Sequence, residues 1–306
     1  MLLLLSGAWR SGDNSELHSL ARALSAPESK RASRIEDEAA QEAFAVALIN
    51  YRLSPAPSQL EAGAKPVFHP AHTQDVHAAL RYLLLERPAL QASKNEYRTD
   101  GIVLGGHSVG AWFVAGAMLD PPSPLAQASS SPIPPHTPLS PPALRAQIDA
   151  YLLLDGIYDI DALLDEYPSY AGFVGQAFEA PRGDNAPTPT LGRYKAASLR
   201  SWTLASSYAF VDVSTVSGGN DGRPRESLPR IYLAHSRQDE LLSLAQPELA
   251  RVYLASLLDA RQPGAGSSNE DGKNKMLHVD YDSIQGGHFE LLESRALVDY
   301  VRSLFR

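Results

Sequence analysis

Gly105-Gly106-His107-Ser108-Val109-Gly110, directly behind the apolar run Ile102-Val103-Leu104, is the stretch on which the fold turns. Gly106, Ser108 and Gly110 fit the pattern G-x-S-x-G, but the flanks carry more than the match. A β-branched strand enters the motif, and the helix-forming run Ala111-Trp112-Phe113-Val114-Ala115 leaves it. That strand–turn–helix setting is what a strained nucleophile elbow needs. Glycines on either side let strand and helix approach closely while the central residue takes the strain. Ser108 Oγ should then stand clear of the backbone at the carboxyl edge of a sheet. The plain alternative is a glycine-rich turn holding an ordinary serine.

The rest of the chain is consistent with an enzyme. Its 306 residues are 44% hydrophobic and 20% charged, a balance that suits a sizeable core. A net charge of −8 without any Lys/Arg block argues against a nucleic-acid partner. The absence of cysteine excludes disulfides, thiolate metal sites and a cysteine nucleophile. The opening run Leu2–Leu5 is too short for a membrane span and lacks the basic start of a signal peptide. The expectation is a cytoplasmic protein with a small-molecule substrate, without nucleic-acid or membrane partners. Oligomeric state is left open, a homodimer included.

Short β-type runs alternate with helical patterns, which reads as α/β: a mostly parallel sheet with crossover helices. Strands are expected at Leu2–Leu5, Ala45–Asn50, Ile102–Gly105, Ala150–Leu154, Arg230–Ala234 and Met276–Asp280. Helical spacing marks Ser15–Ser25, Asp75–Leu85, Val109–Leu119, Ala245–Leu258 and Glu290–Phe305. Asp75 is expected at a helix start, where an acid suits both cap and dipole. Residues 1–306 read as one domain with two surface insertions. About 121–142, nine prolines and several serines resist helix and sheet; about 262–275 is rich in Gly, Ser and Asn. Two further loop-like stretches, Ala180–Leu191 and Ser214–Arg225, would be a lid or decoration.

A serine hydroxyl needs a base, and the base needs an acid to hold its tautomer. In the order Ser, acid, His, the chain after Ser108 offers His136, His235, His278 and His288. His288 follows Gly286-Gly287 beyond the last expected strand and is taken as the base; a surface-loop histidine is the alternative. His278 falls within a strand pattern, His136 within the proline-rich insertion, and His235 ends a strand ahead of the acid loop. There Asp239 is preferred to Glu240 as the acid, because it comes first and a helical run follows; such an acid also resembles an N-cap. The oxyanion donors expected are backbone N–H groups of Gly7, Ala8 and Val109. Trp9 is either a wall of the substrate pocket or a packed aromatic, and Trp112 and Phe289 are open candidates for shaping that pocket.

With these pieces assembled, the chain resembles an α/β-hydrolase of the fungal kynurenine formamidase (arylformamidase) type. Ser6-Gly7-Ala8-Trp9-Arg10 resembles the end of that family's H-G-G-A-W motif, and Asn50-Tyr51-Arg52-Leu53-Ser54 a signature shared with hormone-sensitive-lipase-like esterases. His69-Pro70-Ala71-His72 with Gln74-Asp75-Val76 is closer to the formamidases. Closer still are Asp155-Gly156-Ile157-Tyr158-Asp159 with Glu166-Tyr167-Pro168, and His235 through Leu242. The resemblance implies a Ser108–Asp239–His288 hydrolase acting on N-formyl-L-kynurenine, with no metal or cofactor. It also implies a departure. Leu5 and Ser6 stand where the family has His and Gly, and the expectation is a sheet without the first N-terminal strand or strands of that family. A carboxylesterase, or a hydrolase-fold protein of weak activity that binds a ligand, are the competing expectations.

Overall fold

The computed structural model describes residues 2–26, 44–86, 101–121, 142–178, 194–204, 229–261 and 276–305. Its centre is a six-stranded sheet of β1 (Leu2–Leu5), β2 (Val46–Leu48), β3 (Ile102–His107), β5 (Ile148–Leu154), β7 (Arg230–Ala234) and β8 (Leu277–Asp280), in the order β2-β1-β3-β5-β7-β8. Every neighbouring pair in it is parallel. Two short strands, β4 (Leu119–Asp120) and β6 (Thr203–Leu204), pair antiparallel apart from it. All six expected strands are present, displaced by at most two residues at an end.

Alternate side chains of a strand leave opposite faces of a sheet, so a parallel sheet needs cover on both. Leu2, Leu4, Val103, Leu152 and Leu154 pack on one face with α1 (His18–Ser25) and α8 (Arg295–Ser303). Leu5, Leu104, Tyr151, Leu153 and Leu233 pack on the other. That face is covered by α2 (Ala71–Arg81), α3 (Val109–Met118) and α7 (Ala245–Arg261). All ten residues of α3 are buried, as expected for a helix apolar all round.

Four helical differences are informative. A 3-10 turn, Asn14–Leu17, capped by Asp13, precedes α1, and another, Glu290–Glu293, precedes α8. Asp75 does not start α2: the helix begins at Ala71 after Pro70, whose ring ends the preceding extended chain. The Asp75 carboxylate instead takes the backbone N–H and the guanidinium of Arg52, at 2.8–2.9 Å. The structure adds α4 (Pro142–Arg145), α5 (Ile160–Glu166) and α6 (Ala171–Phe178), which are too short for periodicity to mark; Asp159 caps α5 by accepting from Ala162 N–H. Residues 122–141, 180–191, 214–225 and 262–275, and with them His136, lie outside the described residues.

Register does the positioning. His107 pairs with Leu154, Leu154 with Ala234, and Ala234 with Asp280, so these strands end level. The ladder runs one residue further: Ser108 N–H donates to Leu154 O, Asp155 N–H to Ala234 O and His235 N–H to Asp280 O, at 3.0–3.1 Å. Every site loop therefore leaves from one carboxyl edge.

Candidate active site

At that edge the chain turns sharply at Ser108, with φ 57° and ψ −124°. A non-glycine residue held there stores about 1–3 kcal/mol, which the packing around it must offset. The two motif glycines are sterically required. A Cβ on Gly106 would lie 2.2 Å from Gly110 C and O, and one on Gly110 would lie 2.2 Å from Leu5 O. Among the described residues, three non-glycines have positive φ: Trp9, Ser108 and Asp155. They follow β1, β3 and β5, adjacent strands of the same edge.

The loops after β7 and β8 supply the acid and the histidine. Asp239 Oδ2 accepts a hydrogen bond from His288 Nδ1–H at 2.7 Å, with both side chains almost fully buried. Asp239 Oδ1 accepts from the N–H groups of Leu241 and Leu242, at 2.8 and 2.9 Å. Burial pushes the Asp239 carboxyl up, but the His288 bond and charge and the two N–H groups outweigh it, leaving it below the usual carboxylate range. Asp239 thus makes its cap-like bonds and faces His288 as well. The ring of His107, the residue before Ser108, lies 4.5 Å from that of His288. Ser108 Oγ makes no hydrogen bond among the described residues, so the serine–histidine bond is not formed in this state. Such bonds commonly tighten only when substrate is present.

The structure separates the expected oxyanion donors. Val109 N–H is the first of α3 and has no acceptor within the helix. Gly7, at φ 113°, donates its N–H to nothing among the described residues. Ala8 does not fit the expectation: its N–H is taken by Ser11 O at 3.0 Å, because the loop closes on itself there. Trp9 is not a pocket wall but a packed aromatic. It is fully buried, edge-on to Trp112 at 5.6 Å and to Phe178 at 5.0 Å. Trp112 is buried too and donates to Ala197 O, whereas Phe289 stays half exposed, edge-on to His288 at 5.0 Å.

Several residues to which the sequence reading gave no catalytic role have a place around the site. His107 Nε2–H donates to His288 O at 2.8 Å, and burial holds this imidazole well below its ordinary pKa, hence neutral. Its Nδ1 lies 3.1 Å from the hydroxyl of Ser6, which also lies 3.0 Å from Glu16 Oε2. Through His107, Ser6 thereby braces the loop that carries His288. Glu240 Oε2 accepts from His288 N–H at 2.9 Å. His235 is buried behind Asp239: its Nε2–H donates to Leu242 O at 3.0 Å, and Nε2 lies 3.8 Å from Asp239 Oδ2. His278 sits exposed on β8, stacked on Tyr232. Two sets, His107/Asp155/His288 and Asp155/His235/Asp239, have ligand-type atoms within 4.8 Å of one another. His107, His235, His288 and Asp239 already spend atoms on the hydrogen bonds just given, so the sets read as one acid–base cluster.

No family model matches the chain. It is 32% identical over 206 residues to a kynurenine formamidase of Meyerozyma guilliermondii, a match covering 67% of this chain and 57% of that protein. It is 29% identical over 265 residues to a kynurenine formamidase of Scheffersomyces stipitis, covering 83% and 77%. The chain thus spans little more than half the length of the first relative. In fold it is similar to a propionate-bound thermophilic esterase of Thermogutta terrifontis, with a TM-score of 0.52 at 11% identity, covering 99% of this chain and 81% of that one. No helix among the described residues is long and apolar enough to cross a membrane. In fold the chain is of the α/β-hydrolase type, and in sequence it is similar to fungal kynurenine formamidases.

Proposed function

We propose that the protein is a serine hydrolase that cleaves N-formyl-L-kynurenine to L-kynurenine and formate. The observation that carries this is the 2.7 Å Asp239–His288 pair, set at the same sheet edge as a strained Ser108 in a chain related to kynurenine formamidases. Asp239 holds Nδ1–H of His288, which leaves Nε2 as the basic nitrogen. Nε2 takes the proton of Ser108 as Oγ attacks the formyl carbon. The oxyanion receives the free N–H groups of Val109 and Gly7. His288 then protonates the departing arylamine, and water, deprotonated in turn by His288, releases formate from the serine.

The test compares release of kynurenine from N-formyl-L-kynurenine with hydrolysis of p-nitrophenyl acetate, for the wild type and Ser108→Ala. The expected result is formamide turnover exceeding ester turnover, both lost in the variant, with a fluorophosphonate probe labelling only the wild type. Ester turnover alone would make the protein a carboxylesterase. An unlabelled, inactive wild type would make it a binding protein.

A further inference from the structure

Asp155, at the end of β5, is a second carboxyl inside the cluster just described. It is fully buried and sits at φ 39°, a conformation that few non-glycine residues adopt. Its Oδ1 is pinned by Ser236 N–H at 2.7 Å, whereas its Oδ2 is buried with no hydrogen-bond partner. His235 Nδ1, 3.4 Å from Asp155 Oδ1, is likewise buried and unpartnered. Since His235 Nε2–H is donated to Leu242 O, the neutral ring presents Nδ1 as a lone pair. The Asp155 carboxyl and His235 Nδ1 therefore meet as two acceptors, and a proton on Asp155 would turn that contact into a hydrogen bond. An acceptor left dry and unpaired costs its full desolvation, and an ionised carboxylate costs more.

The surrounding charges say where that proton stays. Asp239 and Glu240 face Asp155 from the loop after β7, His235 from the end of β7, His288 from the loop after β8, His107 from β3, and Tyr158 from its own loop. The first two are acids, His107 and His235 are held neutral by burial, and Tyr158 keeps its proton because burial pushes it up. Asp239 is already committed to His288 as a carboxylate. Two neighbouring carboxyls in a dry site do not both ionise.

We propose that Asp155 is a positioning residue that stands as a neutral carboxylic acid beside Asp239 and His235, so that it adds no negative charge of its own around His288. Burial first, and the Asp239 charge second, push the Asp155 carboxyl up to about 8, in line with this geometry. Without a charge on Asp155, His288 is oriented by Asp239 without being made so basic that it keeps its proton. Ionisation of Asp155 would add a further charge and retain the proton on the imidazole.

The role rests on the serine-hydrolase reading, but its first test does not need a substrate. Carboxyl carbons of ¹³C-labelled aspartates are titrated by NMR in the wild type. One of them should stay in the acid form through pH 6, be missing from Asp155→Asn, and titrate at lower pH in Asp239→Asn. If every aspartate carbon is ionised by pH 6, the proposal is overturned, whatever the protein hydrolyses. The second test is kinetic, on whichever of the two substrates above is turned over. Asp155→Ala should lower kcat tenfold or more, Asp155→Asn should recover most of that loss, and a bend near pH 8 in the wild-type rate should vanish in Asp155→Asn. An Asn variant as impaired as the Ala variant, or one keeping the bend, overturns the positioning role. Should the Ala variant fail to fold, the wild-type carbon titration still decides.

Discussion

At the residue scale, the site is a set of small steric and protonic decisions. Gly110 is one: a methyl group there would meet the Leu5 carbonyl at 2.2 Å, and neither backbone can retreat without breaking the β1–β3 ladder. Gly110→Ala should therefore cost about 1–3 kcal/mol in urea unfolding, the usual range for overpacking; an unchanged midpoint would show that strand and helix are less tightly apposed. The two histidines near Asp239 have different contacts, and their variants should differ accordingly. His288→Ala should abolish turnover, and Asp239→Asn should lower kcat by roughly 10³–10⁴-fold through loss of tautomer control. His235→Ala should leave much of the rate, because that ring bonds the Leu242 carbonyl rather than the reacting groups. If His235→Ala proved the more damaging, the base would be misassigned.

At the element scale, burial suppresses the charge of three histidines in and just before α2. Burial holds His72 at about 4 and His77 at about 3, and His69, just ahead of the helix, at about 3. Each pKa is depressed relative to the unfolded chain, so each histidine contributes stability that is present above about pH 6.5 and is lost as pH falls toward the folded value. One such group changes stability by about 1.4 kcal/mol per pH unit within its window. Asp155 has the opposite sign: its raised pKa favours the folded state at low pH and is lost as pH rises through about 8. These histidines, with His107 and His235 depressed in the same sense, outweigh the one raised carboxyl, so urea midpoints should fall between pH 6.5 and pH 4.5. A flat profile over that range would mean that the histidines of α2 are hydrated and already charged.

At the scale of the whole molecule, the two ends of the described chain are tied across one face of the sheet. Arg302 of α8 donates through Nη2 to Ala23 O in the last turn of α1 and to Ala26 O just after it, at 2.9 and 2.7 Å. These are charge-assisted bonds at a helix C-terminus, where a cation is favoured. Beneath them, Leu20 and Leu24 share a core with Leu297, Val298 and Val301. Arg302→Ala should destabilise the fold by about 1.5–3 kcal/mol in chemical denaturation, the range for bonds to a charged group. A loss below the error of the measurement would show that the apolar contacts alone hold the two helices together.

Much of this was legible in the amino-acid sequence. Ile102-Val103-Leu104 running into Gly106, Ser108 and Gly110 has one comfortable arrangement, since a buried parallel strand, a strained turn and a helix N-terminus each need those residue types. The same holds for β1 and β7, whose apolar runs end where the strands end. Spacing could also order Asp239 and His288 behind Ser108. What it could not supply was contact. That Ala8 N–H is spent on Ser11 and Trp9 is buried among aromatics depends on how one loop closes, and Asp75 turned to Arg52 because Pro70 had already set the start of α2. Asp155 shows the limit best. Local sequence made it a residue after a strand, while the level ends of β5, β7 and β8 brought it within reach of Asp239, His235 and His288. Hydrophobic periodicity and backbone sterics act over a few residues and are written along the chain. Proton placement depends on burial and on charges tens to hundreds of residues away, and only the tertiary structure brings those together.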